Sequence, residues 1–164
     1  MSFLTIMQLL PLVGAALIAT VNKEREKSIK QLAFATSLVV AVAGIALALQ
    51  FDRSDAGLQF VEKRSWIPAF GINYAVGIDG IALVLILMSV ILAPIVVLAG
   101  WNEATGGRWS VKTFYILILV LETMMIGVFA ATDVFLFYVF FEAMLIPVYF
   151  LIGGYGTGQR AQAA

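Results

Sequence analysis

The chain has 164 residues, 62% of them hydrophobic and 12% charged, against roughly 25% charged in a soluble domain, so it reads as an integral membrane protein. Ten Lys or Arg balance ten Asp or Glu, and with no net charge and no basic run nothing points to nucleic acid or to an acidic substrate. Histidine and cysteine are both missing. With them go the usual ligands of zinc, iron–sulfur clusters and haem, a Cys nucleophile and a His base, so no metal, cofactor or redox centre is expected in this chain.

A helix that crosses a bilayer core needs about 20 mostly apolar residues. Five stretches supply them, at roughly residues 3–21, 31–49, 80–100, 113–132 and 134–154, and the first three hold no charge. The first reads as a retained span and not as a cleaved signal peptide, because MSFLTIMQ has no basic n-region and the positive cluster NKEREKSIK follows the apolar run. Residues 51–79, FDRSDAGLQFVEKRSWIPAFGINYAVGID, form the one long segment outside the spans. Polar, aromatic and β-branched residues mix around 58–66 and 70–76, with Pro68 and Gly71 between, which predicts a short hairpin. The closing GGYGTGQRAQAA reads as a loop. The expected fold is therefore all-α: one membrane domain over residues 1–164, with five transmembrane helices and an outer hairpin.

With five spans the loops alternate sides, and the Lys/Arg count orients them. Lys23, Arg25, Lys27, Lys30, Arg108, Lys112 and Arg160 fall on one side; Arg53, Lys63 and Arg64 fall on the other. The N-terminus is expected outside and the C-terminus in the cytoplasm. Trp66 and Tyr74 outside, and Trp101 and Trp109 inside, sit where aromatic belts form.

Two carboxylates interrupt the apolar spans: Glu122 in FYILILVLETMMIGVF and Glu142 in VFLFYVFFEAMLIPVYF. Each costs about 2.5–3.5 kcal/mol at the centre of a span, which the surrounding Leu, Ile, Val and Phe offset. With the turn at Ala131, Thr132 and Asp133, both lie about 14 Å below the same surface at 1.5 Å per residue, on adjacent antiparallel helices. If they face each other, repulsion and desolvation favour proton uptake by at least one. Pro147 cannot donate to the Ala143 carbonyl and is expected to break the fifth helix beside Glu142; Pro94 acts likewise on Val90. The alternative for either acid is hydrogen-bonded glue between helices. Glu142 is taken as the proton relay, with Glu122 and Tyr138 as candidate members of a proton path. The neighbouring aromatics read as packing surface. Asp79 and Asp133 read as helix caps.

These pieces resemble the antiporter-like membrane subunits of the proton-pumping NADH:quinone oxidoreductase, respiratory complex I, in particular the subunit M or chain 4 type. The resemblance is carried by WIPAFGINYAVGIDGIALVLILMS (66–89), by MIGVFAATDVFLFYVFFEAMLIPVYFLIGGYG (125–156) and by the terminal QRAQAA. The order F-F-E-x-M-L-I-P-x-Y-F-L-I-G is its most specific part. It implies the N-terminal third of an antiporter-like fold, a translocase subunit that couples quinone reduction elsewhere to proton pumping. It also implies other membrane subunits of the complex, the lipid bilayer and protons as partners, in the inner membrane of a bacterium. In the family the glutamate of this motif, here Glu142, pairs with a lysine on a later helix, and this chain has no Lys or Arg within a span. Two further readings stay open. One is a subunit of a multisubunit sodium/proton antiporter, whose related chains share the GIDG element and the buried glutamate; the other is a non-transporting membrane scaffold fragment.

Overall fold

The computed structural model describes residues 2–164, apart from the side chains at 106, 160 and 161, so Arg160 as an inner cation lies outside the described residues. Five helices are long and apolar enough to cross a membrane: α1 (Phe3–Thr20), α2 (Glu26–Gln50), α3 (Gly80–Ala99), α4 (Val111–Ala130) and α5 (Val134–Tyr155). Between α2 and α3 the expected hairpin is present as β1 (Gln59–Ile67) and β2 (Ile72–Ile78), joined through a 3-10 turn at Pro68–Phe70. Gly71 follows that turn at φ 66°, a left-handed conformation open to glycine at little cost. The tail differs from the loop expected there. Helix α5 continues to Tyr155, and a short α6 (Arg160–Ala163) follows.

Short polar side chains start four of the five spans. Ser2, Asp79 and Ser110 each accept a backbone N–H from the third residue on, and Asp133 accepts from Phe135 and Leu136. Such caps satisfy donors that the first helical turn leaves free. Helix α2 starts instead in the charged loop at Arg25, without a side-chain cap.

Helix α4 packs on all four other spans, whereas α5 packs chiefly on α4. Gly127 lets three helices meet: a Cβ there would stand 2.7 Å from Gln8 Nε2 of α1 and 2.8 Å from Phe140 Cγ of α5. Small residues allow this approach between membrane helices, where packing replaces the hydrophobic drive.

The interior divides into two apolar clusters. One includes Leu4, Val40, Leu47, Ile86 and Ile126; the other includes Ile18, Ile29, Val97, Tyr115 and Leu119. Between them, near the middles of their helices, lie the buried polar residues Ser37, Ser89, Glu122 and Thr123.

The hairpin is fastened to the bundle along β2. Thr132 N–H donates to the Ala75 carbonyl at 2.9 Å, Val76 pairs with Ala131, and Asn73 N–H donates to Asp133 Oδ2 at 3.3 Å.

Candidate functional site

The two spanning carboxylates lie at matching depth. Glu122 is eight residues before the last residue of α4, and Glu142 is eight after the first residue of α5. At 1.5 Å per residue each is about 12 Å along its helix from the shared turn. Their surroundings are opposite. Glu122 is 4% exposed, while Glu142 is exposed on the outer face of α5. They do not face each other. Leu136, Pro147 and Gly154 mark the inward side of α5, and Glu142 shares the other side with Val134, Tyr138, Phe141, Leu145 and Tyr149, all exposed. Tyr138 stands one turn before Glu142 on that stripe.

The enclosed acid is thus Glu122, to which the sequence lent less weight. Both of its carboxylate oxygens lack a hydrogen-bond partner, and it is the only buried side chain in that condition among the described residues. The other buried hydroxyls midway along these helices are engaged elsewhere. Ser89 Oγ donates to the Leu85 carbonyl at 2.9 Å, Ser37 Oγ to Phe34 at 2.9 Å, and Thr123 Oγ1 to Leu119 at 3.2 Å. Each hydroxyl proton in the polar layer is given to a carbonyl of its own helix, as Ser and Thr do in helix interiors. None is left for the carboxylate. Beside it lies a cavity of about 330 Å3 between α3 and α4, with Leu151 of α5 in its wall.

The helix break expected at Pro147 is absent. Helix α5 runs unbroken from Val134 to Tyr155, with Pro147 buried inside it. The proline removes one backbone donor without ending the helix, because the packing on α4 continues past it. Trp109 stacks edge-on to Phe150 at 5.7 Å, and Tyr155 Oη donates to the Ser110 carbonyl at 2.6 Å.

A second polar group escaped the sequence reading. Glu62 Oε2 of β1 accepts from Ser2 N–H and from Thr5 Oγ1, both at 2.7 Å. Tyr74 Oη of β2 lies 3.2 Å from Thr5 Oγ1 and donates to Gln8 Oε1 at 3.4 Å. The Ser2 N–H, with help from the Thr5 hydroxyl, lowers the Glu62 pKa from 4.5 to about 2; burial raises that of Tyr74. Asp133 is also held below its usual range, first by the Leu136 N–H. The available signal was Thr5 and Gln8, two polar residues three apart in an uncharged apolar span, which places them on one helix face.

Residues 6–128 match the family model described as NADH-ubiquinone oxidoreductase chain 4, amino terminus. Among curated relatives, NADH-quinone oxidoreductase subunit M of Mycobacterium tuberculosis is 41% identical over 99% of this chain and 34% of its own length. Subunit M of Rhodobacter capsulatus is 38% identical over 99% of this chain and 31% of its own. F(420)H(2) dehydrogenase subunit M of Methanosarcina mazei is 41% identical over 82% of this chain and 28% of its own. The chain spans about a third of the length of the relatives it matches. With the family model covering residues 6–128 and a relative 41% identical over 99% of the chain, the chain belongs to the chain 4, or subunit M, family of NADH-quinone oxidoreductase.

Proposed function

We propose that this chain is the N-terminal five-helix part of a proton-translocating membrane subunit of an NADH:quinone oxidoreductase. Quinone reduction elsewhere in the complex supplies the energy, and this chain brings no redox group of its own. The observation that carries the reading is the pair of carboxylates at one depth in adjacent apolar helices, where an ionisable side chain marks a proton or ion path. Glu142 is the relay on the outer face of α5, and a basic side chain from another membrane helix covers it. Forming and breaking that pair changes how tightly Glu142 holds a proton. Glu122 is a second protonatable position, enclosed where Glu142 is open, and Tyr138 lies on the Glu142 side of the path. The partners are the other membrane subunits of the complex.

The test is Glu142→Gln in the assembled complex, since Gln keeps size and most hydrogen bonding but does not titrate. Proton pumping and coupled NADH oxidation should fall about tenfold or more, while Glu142→Asp keeps a substantial part. Normal pumping in an assembled Glu142→Gln complex would falsify the relay.

The N-terminus lies outside and the C-terminus in the cytoplasm of a bacterial inner membrane. The chain has no native cysteine, so Ser28→Cys and Ser54→Cys can report sidedness to an impermeant thiol reagent in intact cells. Ser54→Cys should label and Ser28→Cys should not; the reverse pattern inverts the topology.

A further inference from the structure

The cavity beside Glu122 has one polar demand and a hydrocarbon wall. Met88, Leu92 and Val96 of α3, each about half exposed, form a lip through which it opens sideways from the bundle, and Met125 of α4 lines it within. The lip lies midway along an apolar spanning helix, so whatever enters must be at home among hydrocarbon side chains. At about 330 Å3 the space stands at the small end of the ~300–1,000 Å3 typical of ligand pockets.

We propose that this cavity is a binding site for a small lipophilic amine, its nitrogen paired with the Glu122 carboxyl and its hydrocarbon body lying against Met88, Leu92 and Met125. The choice of occupant follows from the chemistry. Water requires two to four polar partners per molecule, and beyond the carboxyl the lining offers only Ser89, whose proton is already given to Leu85. A neutral alkyl chain leaves both Glu122 oxygens unpartnered. An amine supplies donors to the acid wherever the proton sits, because carboxylate with ammonium and carboxylic acid with amine are both neutral hydrogen-bonded pairs. Neither leaves an isolated charge in an apolar medium. The site stands on this geometry alone and holds whether or not Glu122 carries protons in turnover.

Glu142 provides an internal control, being a carboxyl at the same distance from the shared turn but exposed and outside the lining of this cavity. In membranes carrying the native chain, n-octylamine bearing a photoreactive diazirine on its alkyl chain should crosslink to Met88, Leu92 and Met125. Excess n-octylamine should compete and n-octanol should not. Labelling should fall about tenfold, the equivalent of 1.4 kcal/mol, in Glu122→Gln. It should fall equally in Ala93→Phe, which fills the cavity and leaves the acid in place, and it should persist in Glu142→Gln. Labelling of the Tyr138 to Tyr149 stripe that disappears with Glu142→Gln, undiminished labelling in Glu122→Gln, or equal competition by n-octanol each overturns the proposal.

Discussion

Helices α4 and α5 are adjacent, similar in length at 20 and 22 residues, and each carries one glutamate in an apolar run. Yet half of the spanning window of α4 is buried against 11% of that of α5. The difference lies in position within the bundle. Helix α4 is the hub on which the other four pack; α5 lies at the rim and turns one side inward. The same residue type therefore meets two fates. Glu122 is enclosed with its hydrogen bonds unmade, and Glu142 stands in the open among aromatic and aliphatic neighbours. An apolar run containing a carboxylate shows that a helix must be accommodated, but its place in the bundle decides what the carboxylate meets.

The largest expected effect comes from separating the two helices. A leucine in place of Gly127 would drive its side chain into Phe140 and Gln8 and push α5 off α4, at a cost of about 3 kcal/mol. Tyr138→Leu, on the open side of α5, should stay within about 0.5 kcal/mol. Reversible denaturant unfolding in mixed micelles measures both, and equal stability of the two variants would mean that Gly127 is not the point of closest approach.

Next comes the contrast between the acids. Glu122→Leu removes a buried carboxyl with no partner and should stabilise the chain by about 1–3 kcal/mol. Glu142→Leu, at an exposed site, should change unfolding by less than about 0.5 kcal/mol. The same assay reads both, and a destabilised Glu122→Leu would reveal a partner for that carboxyl in the membrane.

Asp133→Ala affects the corner that joins the helices. It removes the acceptor for Phe135, Leu136 and Asn73 N–H groups and should cost about 0.5–2 kcal/mol. Hydrogen exchange at Phe135 and Leu136 should quicken while that of the middle of α4 does not; unchanged exchange at the first turn of α5 would count against the cap.

The smallest effect concerns a third carboxylate, one with its partners in place. Glu62 is held at about 2 instead of 4.5, mainly by the Ser2 N–H. Since its folded value is depressed, its contribution is complete above pH 4.5 and is lost as pH falls towards 2. With Trp101 and Trp109 changed to Phe, Trp66 fluorescence should report hairpin loosening in that window. Glu62→Gln should abolish the transition, and an identical acid titration in that variant would assign the loosening elsewhere.

Much of this architecture was legible in the sequence. Five apolar runs near the thickness of a bilayer left little freedom for the spans, the mixed segment with Pro68 and Gly71 gave the hairpin, and Asp79 and Asp133 announced their own helix starts. The equal depth of Glu122 and Glu142 followed from counting about the turn. What stayed hidden was direction. Helices of nearly uniform apolarity carry little contrast between faces, so the sequence could not place α4 at the centre or turn Glu142 outward. Nor could it reveal that Ser37, Ser89 and Thr123 would give their protons to their own backbones. The break at Pro147 failed for a related reason: a proline removes one bond, and side-chain packing on a neighbour decides whether the helix bends.

The fastening of the hairpin also bears on the order of biogenesis. The Ser2 N–H and the Thr5 hydroxyl meet Glu62 once β1 has been made, and the open edge of β2 pairs when Ala131 and Thr132 arrive. At about 5–20 residues per second of synthesis, the interval between Val76 and Ala131 lasts seconds, during which β2 offers unpaired backbone to any passing strand. The outer rim is thus a clasp that shuts late. The first helix meets Glu62 and Tyr74 when the hairpin is made and gains its packing on α4 only later, so damage to the turn at Ala131 and Thr132 would appear first as a loosened hairpin.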